Sequence, residues 1–225
     1  MIGAPNFAVE RWTRESTSFG IAVVVVVLAL AVAPVIGSAN VVDKLTTLFV
    51  YVVLAAMWNA LAGYAGLVSV GQQAFFGIGA YFAIRLAAAG FPAYPSLFAG
   101  AVGATLLAIP VSFFMLRLRG GEFAIGMWVL AEALHLVVNL DPLIQGETGT
   151  SMISLNAFTH GERLAANYWL ALGSMLALLG AIFVLLRSRF GASVQAIRDD
   201  EEAAASIGVK VLAAKRTVFI LAAFG

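Results

Sequence analysis

Apolar runs near the length that crosses a bilayer follow one another along this chain, at residues 19–36, 45–62, 67–89, 96–116, 123–140 and 168–186. A hydrocarbon core about 30 Å thick takes roughly 20 apolar residues in a helix. Backbone in lipid must also satisfy its own N–H and C=O groups. Repeated runs of this length therefore predict an all-α integral membrane protein, a multi-spanning helix bundle. Composition agrees: of 225 residues, 62% are hydrophobic and 11% charged, whereas a water-soluble domain carries about 25% charged residues. A seventh apolar stretch begins near Thr217 and stops at Gly225, too short to cross. The expectation is a single transmembrane domain over residues 1–225, with six complete spans and the start of a seventh, truncated at its C-terminal end.

The first run follows Arg11 and Arg14 and is followed by the small residues Gly37-Ser38-Ala39. It is longer than the roughly 7–15 apolar residues of a secretory signal, so it reads as a retained span. Placing the N-terminus in the cytoplasm puts Arg11, Arg14, Arg117, Arg119, Arg187, Arg189, Arg198, Lys210, Lys215 and Arg216 inside, leaving only Lys44, Arg85 and Arg163 outside. That asymmetry is the positive-inside bias of inner-membrane proteins. Arg85, near the outer end of its span, is expected to snorkel to the interface.

Several function classes fall away. A net charge of +1 gives no field for nucleic acid. The absence of cysteine removes thiol chemistry and thiolate metal sites, and two distant histidines, His135 and His160, make no metal cluster. No phosphate-binding loop of the G-x-x-x-x-G-K-[ST] type occurs, so ATP is not bound that way. Gly66-Leu67-Val68-Ser69-Val70-Gly71 has the wrong spacing and no preceding strand for a nucleophile elbow. The chain reads as a non-enzyme with no cofactor of its own.

Two features depart from plain spanning helices. The stretch from Gly63 to Gln73 is rich in glycine and polar residues. Glycine costs about 1 kcal/mol relative to alanine within a helix, so a break is expected, and broken backbone at membrane depth needs protein or a watery cavity around it. Gly77, Gly79, Gly100 and Gly103 read instead as close helix packing. Glu132 lies near the middle of its run with His135 three residues on, so the two share a helix face. An ionisable residue at that depth faces a bundle interior or an aqueous path. A polar position on a translocation path and a packing role for Glu132 both stand. The outside loop 141–167, with Gly146, Thr148, Gly149, Thr150, Ser151 and the polar set from Thr159 to Arg163, is either a closing element or a plain connection.

Between the sixth and seventh apolar stretches lies RSRFGASVQAIRDDEEAAASIGV, residues 187–209. Val194, Ile197, Ala204 and Ile207 fall roughly on one helical face beside a charged run, and Gly208 suits a helix C-cap. A short charged helix here suits docking of a soluble partner; a solvated loop is the plainer reading.

GYAGLVSVGQQAFFGIGAY, residues 63–81, resembles the signature of permease subunits of branched-chain amino acid ABC transporters. FAIGMWVLAEALHLVV, 123–138, resembles the family's central helix with its intramembrane Glu, and 187–209 resembles the loop that docks on the ATPase. The resemblance is closer to the LivM type than to its LivH sister. It implies a permease dimer, usually with a sister permease, on two cytoplasmic ABC ATPase subunits that bind the ATP. It also implies an extracytoplasmic binding protein delivering leucine, isoleucine or valine, with urea or short amides as the alternative cargo. A simple-sugar permease and a secondary transporter or channel are the rival readings. The expected substrate path is Gly66, Ser69, Gln72, Gln73, Glu132 and His135. The expected ATPase contact is Arg198, Asp199, Asp200, Glu201, Glu202, Ala203, Ala204 and Gly208. Three departures from the family pattern are visible: Gln72 stands where many members have His, Thr148–Ile153 lacks two glycines of the outer-loop motif, and the helices expected after Lys210 are missing.

Overall fold

The computed structural model describes residues 14–144 and 150–225; Arg11, Gly146, Thr148 and Gly149 lie outside the described residues. The order of helices is α1 (Arg14–Ile36), α2 (Ala39–Asn59), α3 (Gln73–Ala88), α4 (Ala93–Met115), α5 (Gly120–Asn139), α6 (His160–Arg187), α7 (Arg189–Asp199), α8 (Glu201–Ser206) and α9 (Val211–Phe224). Among the described residues, five helical segments are long and apolar enough to cross a membrane: Thr17–Ile36, Ala39–Tyr64, Ala93–Met115, Gly120–Asn139 and His160–Arg187. The fold is an all-α membrane helix bundle.

The run 67–89 is helical only from Gln73. At its far end α2 widens into a π-helical turn, Ala60–Tyr64, and Leu67 N–H closes back onto the Leu61 carbonyl at 2.9 Å. Gly66 then takes φ +66°, a conformation that carries almost no penalty only for glycine. Residues 67–72 run on without helix until α3 starts, with 16 residues. The seventh stretch starts earlier than its hydropathy suggests, at Val211, which brings Lys215 and Arg216 into α9. So does α6: Thr159 and Glu162, expected in the loop, form a capping box at its first turn, with the Thr159 N–H donating to Glu162 Oε2 at 2.9 Å.

Two ends of the bundle differ in charge. Arg119, Lys215 and residues 197–201 gather at one end, with the break after α2 against them; the loop after α5 and the start of α6 lie at the other. In the interior, α3 and α4 form a hairpin so close that a Cβ on Gly100 would collide with the Gly79 carbonyl, and one on Gly103 would lie 2.7 Å from the Phe82 ring. Gly77 meets nothing within 4 Å and is not part of that packing. Phe219 of α9, fully buried, packs edge-on to Phe75 of α3 at 5.4 Å and to Phe123 of α5 at 6.5 Å. Phe49 and Tyr168 join α2 to α6 in the same way at 5.4 Å.

Candidate functional site

A groove of about 310 Å³ opens between α3 and α5, and Gln73, Gly77, Trp128, Glu132 and His135 line it. Glu132 is the thirteenth residue of α5, about 18 Å along the axis at 1.5 Å per residue. Its side chain is 64% exposed and that of His135 is 56% exposed, so neither is packed away inside this chain. His135 Nδ1 lies 3.7 Å from Glu132 Oε1, within ion-pair reach when the imidazole is protonated but too long for a hydrogen bond. On its other side, His135 Nε2 lies 3.0 Å from the Asn139 amide nitrogen. The result is a polar ladder on one face of an otherwise apolar helix.

Helix α3 begins part-way along α5, at the level of Met127. Gly71, just before α3, is pressed against the Met127 and Trp128 backbone, where a Cβ would collide with the Met127 carbonyl. The extended segment is also pinned by Trp58, whose indole N–H donates to the Ser69 carbonyl at 3.0 Å. Ser69 is 3% exposed, and its Oγ and Gln72 Oε1 are buried with no hydrogen-bond partner among the described residues. At the first turn of α3 the Ala74 and Phe75 N–H groups donate to the Gly71 and Gln72 carbonyls at 3.1 and 3.2 Å. Its two glutamines diverge: Gln73 faces the α3/α5 groove, while Gln72 lines a separate, mainly apolar cavity of about 300 Å³ bordered by α2, α4 and the end of α9.

Gly66 is not in that groove. It lies at the basic end, where an added Cβ would meet the Arg198 backbone and side chain from 3.4 Å outward. Arg198 Nη1 donates to the Gly63 carbonyl at 3.0 Å, and the same guanidinium holds Asp199 at 2.7 Å. The segment 187–209 is thus docked on the break. It consists of two helices with a corner at Asp200, whose side chain accepts from the Glu202 and Ala203 N–H groups at 2.9 Å. Val194, Ile197 and Ala204 are buried, but Ile207 is 77% exposed. The shared face expected for these four assumed one continuous helix, and the restart at Asp200 turns Ile207 outward. Gly208 does cap α8: at φ +89° it lets its own N–H reach the Ala205 carbonyl and the Val209 N–H reach Ala204. Glu201, expected to face a partner, instead pairs with Lys215 of α9 at 2.5 Å, and Lys215 is 9% exposed. Asp199, Asp200, Glu202 and Ala203 remain exposed.

At the other end, Arg85 does not simply snorkel. Its Nε lies 3.2 Å from Asp141 Oδ2, which also accepts from the Tyr81 hydroxyl at 2.8 Å. Asp141 Oδ1 accepts the Leu143 N–H at 3.0 Å. These hydrogen bonds, the backbone one foremost, with the adjacent guanidinium, hold the Asp141 carboxyl below its usual 3.8. This latch joins α3 to the end of α5 above the groove. Its signal in the sequence was a lone acid just past one span and a lone base near the end of another.

Gln73, Glu132 and His135 therefore come together, Ser69 and Gln72 lie behind them, and Gly66 belongs to the loop contact. A helix bundle with a broken helix, a polar groove and a loop docked on the break defines a multi-pass membrane protein. The family "Branched-chain amino acid transport system / permease component" matches residues 40–225, and the chain belongs to that family. It is 29% identical over 253 residues to the high-affinity branched-chain amino acid transport system permease protein LivM of Escherichia coli (strain K12), covering 99% of this chain and 59% of that protein. The LivM protein of Salmonella typhimurium is likewise 29% identical, over 256 residues and the same shares. The chain thus spans about three-fifths of the length of the curated relatives it matches. No solved structure matches.

Proposed function

We propose that this chain is the permease subunit of an ATP-driven importer that carries branched-chain or related hydrophobic amino acids across the bacterial inner membrane. In this reading the basic end and the N-terminus face the cytoplasm, as the positive-inside bias favours. Two cytoplasmic ATPase subunits dock at α7 and α8 and supply the ATP, so this chain holds no cofactor. A sister permease or a second copy completes the path, and a binding protein delivers substrate to the opposite end.

The observation that carries the reading is the α3/α5 groove. A carboxylate at the middle of a span is costly in lipid, by about 3 kcal/mol or more, so an exposed Glu132 calls for a watery path or a protein cover. An amino-acid zwitterion fits the chemistry present. Glu132 would take the ammonium, the Gln73 amide the carboxylate, and Ile78, Trp128 and Val138 the apolar side chain. Urea or a sugar would leave Glu132 without a cationic partner.

The test is uptake of radiolabelled leucine in cells lacking their own branched-chain uptake, with the permease expressed with and without its ATPases. Glu132→Gln is expected to lower uptake about tenfold or more, the worth of one charge-assisted hydrogen bond of about 1.5–3 kcal/mol. Unchanged uptake would take Glu132 off the path. Full uptake without any ATPase would instead identify a secondary transporter.

A further inference from the structure

We propose that the Glu201–Lys215 ion pair is the internal link through which movement of the α7/α8 loop reaches the membrane groove. The inference rests on the importer reading above. Lys215 sits on the buried face of α9 among Ala214, Val218 and Phe219 and is 9% exposed, while the Glu201 side chain is 30% exposed. A buried ion pair is a weak source of stability, because apolar side chains of similar volume commonly do as well or better. A lysine kept on this face needs another account, and its surroundings supply one.

Lys215 and Phe219 are four residues apart and share one side of α9. Phe219 packs edge-on to Phe75 at the first turn of α3 and to Phe123 at the first turn of α5. Those two helices form the groove that holds Gln73 and Glu132. Across the corner at Asp200, Arg198 holds the Gly63 carbonyl of the break that precedes α3. The corner is stiffened by the hydrogen bonds that Asp200 accepts from Glu202 and Ala203. Arg198, two residues before this corner, and Glu201, directly after it, thus grip the membrane part at separate points, one on the break and one on α9. A displacement of the loop moves both, and the aromatic contacts pass it to the start of α3.

Spatial continuity alone does not demonstrate coupling, so the test compares function with assembly. The purified complex with its ATPases is placed in liposomes, and leucine uptake and ATP hydrolysis are measured together. Lys215→Met, which keeps the stem and loses the charge, and Glu201→Gln are each expected to leave ATPase subunits bound and hydrolysis within about twofold. Leucine moved per ATP is expected to fall about tenfold, inside the range that coupling residues reach. The exchange Glu201→Lys with Lys215→Glu is expected to recover most of that loss. Glu201→Gln, on the more exposed partner, keeps the test valid where Lys215→Met does not assemble. Unchanged transport per ATP in the single variants would overturn the proposal, as would an assembled exchange variant no better than either. A wild-type complex that hydrolyses ATP without moving leucine would instead defeat the importer reading.

Discussion

The Tyr168 hydroxyl donates to the Leu30 carbonyl at 2.6 Å, and that carbonyl is the one Pro34 leaves without a helical partner. Proline at position 34 has no N–H to return to residue 30, so α1 carries an orphan acceptor in its interior. In lipid that orphan is expensive, and α6 supplies the missing donor. Since α1 otherwise has little of its surface buried against the bundle, this bond fixes where it sits. Tyr168→Phe is expected to cost about 1 kcal/mol, the net worth of one buried hydrogen bond, while keeping the ring edge-on to Phe49. Thermal unfolding in detergent would read it. In a Pro34→Ala background the same substitution should cost much less, because an alanine at that position returns the helical donor. Equal losses in both backgrounds would contradict this account.

Gly71 and Gly77 make a second pair of contrasting expectations. At Gly71 a methyl group would strike the carbonyl of Met127, which is helix backbone and cannot swing aside. Gly71→Ala is expected to destabilise by about 2 kcal/mol, as overpacking does, and to separate the extended segment from α5. Gly77→Ala meets nothing within 4 Å and should be neutral or slightly stabilising through helix propensity. Detergent melting curves of the two variants check this directly, and a Gly71→Ala protein as stable as Gly77→Ala would sink the close-approach account.

Hydropathy made α2, α4, α5 and most of α6 readable, because lipid leaves the backbone little choice but helix over a long apolar run. It failed where the same physics is blind. Leu67, Val68 and Val70 are as apolar outside a helix as within one, so the non-helical stretch before Gln73 looked like the start of a span. The loop helix was drawn through Asp200 because a 3.6-residue pattern continues across it; only the side-chain cap shows that the helix ends and restarts. Lys215 looked like a loop cation, since its partner Glu201 lies 14 residues back and no local pattern joins them. Gln73, Glu132 and His135 were legible as polar residues in apolar sequence. That Gln72 faces another cavity follows from the helix start alone, and the sequence does not reveal where α3 begins.

The latch at Asp141 carries a pH expectation. The Leu143 N–H, the Tyr81 hydroxyl and Arg85 all favour the ionised carboxyl, so its folded value lies below the usual 3.8. A depressed value means stability that is fully present above about pH 3.8 and is lost as pH falls through the lower, folded value. Wild type and Asp141→Asn should therefore differ in melting temperature by a constant amount from about pH 7 to near pH 4, and converge only in stronger acid. Convergence near pH 6 would mean that another group holds the two helices together at this end.

Ile207 separates surface recognition from internal packing in the loop. Val194, Ile197 and Ala204 of the same loop are all buried, whereas Ile207 stands 77% exposed. An exposed side chain contributes little to folding, so Ile207→Asp should leave the stability of the isolated permease within about 0.5 kcal/mol of wild type, read from its melting temperature. If α8 is the seat of an ATPase, the same substitution places a charge in what should be the dry centre of that contact, where apolar anchors dominate binding. Co-purification with the ATPase subunits should then drop about tenfold or more, a cost of roughly 1.4 kcal/mol or above. Glu202→Lys, at the wetter rim, should weaken association less and in a salt-dependent way. A loss that is equal for both, or confined to Glu202→Lys, would move the contact away from Ile207 and onto the exposed acids Asp199, Asp200 and Glu202.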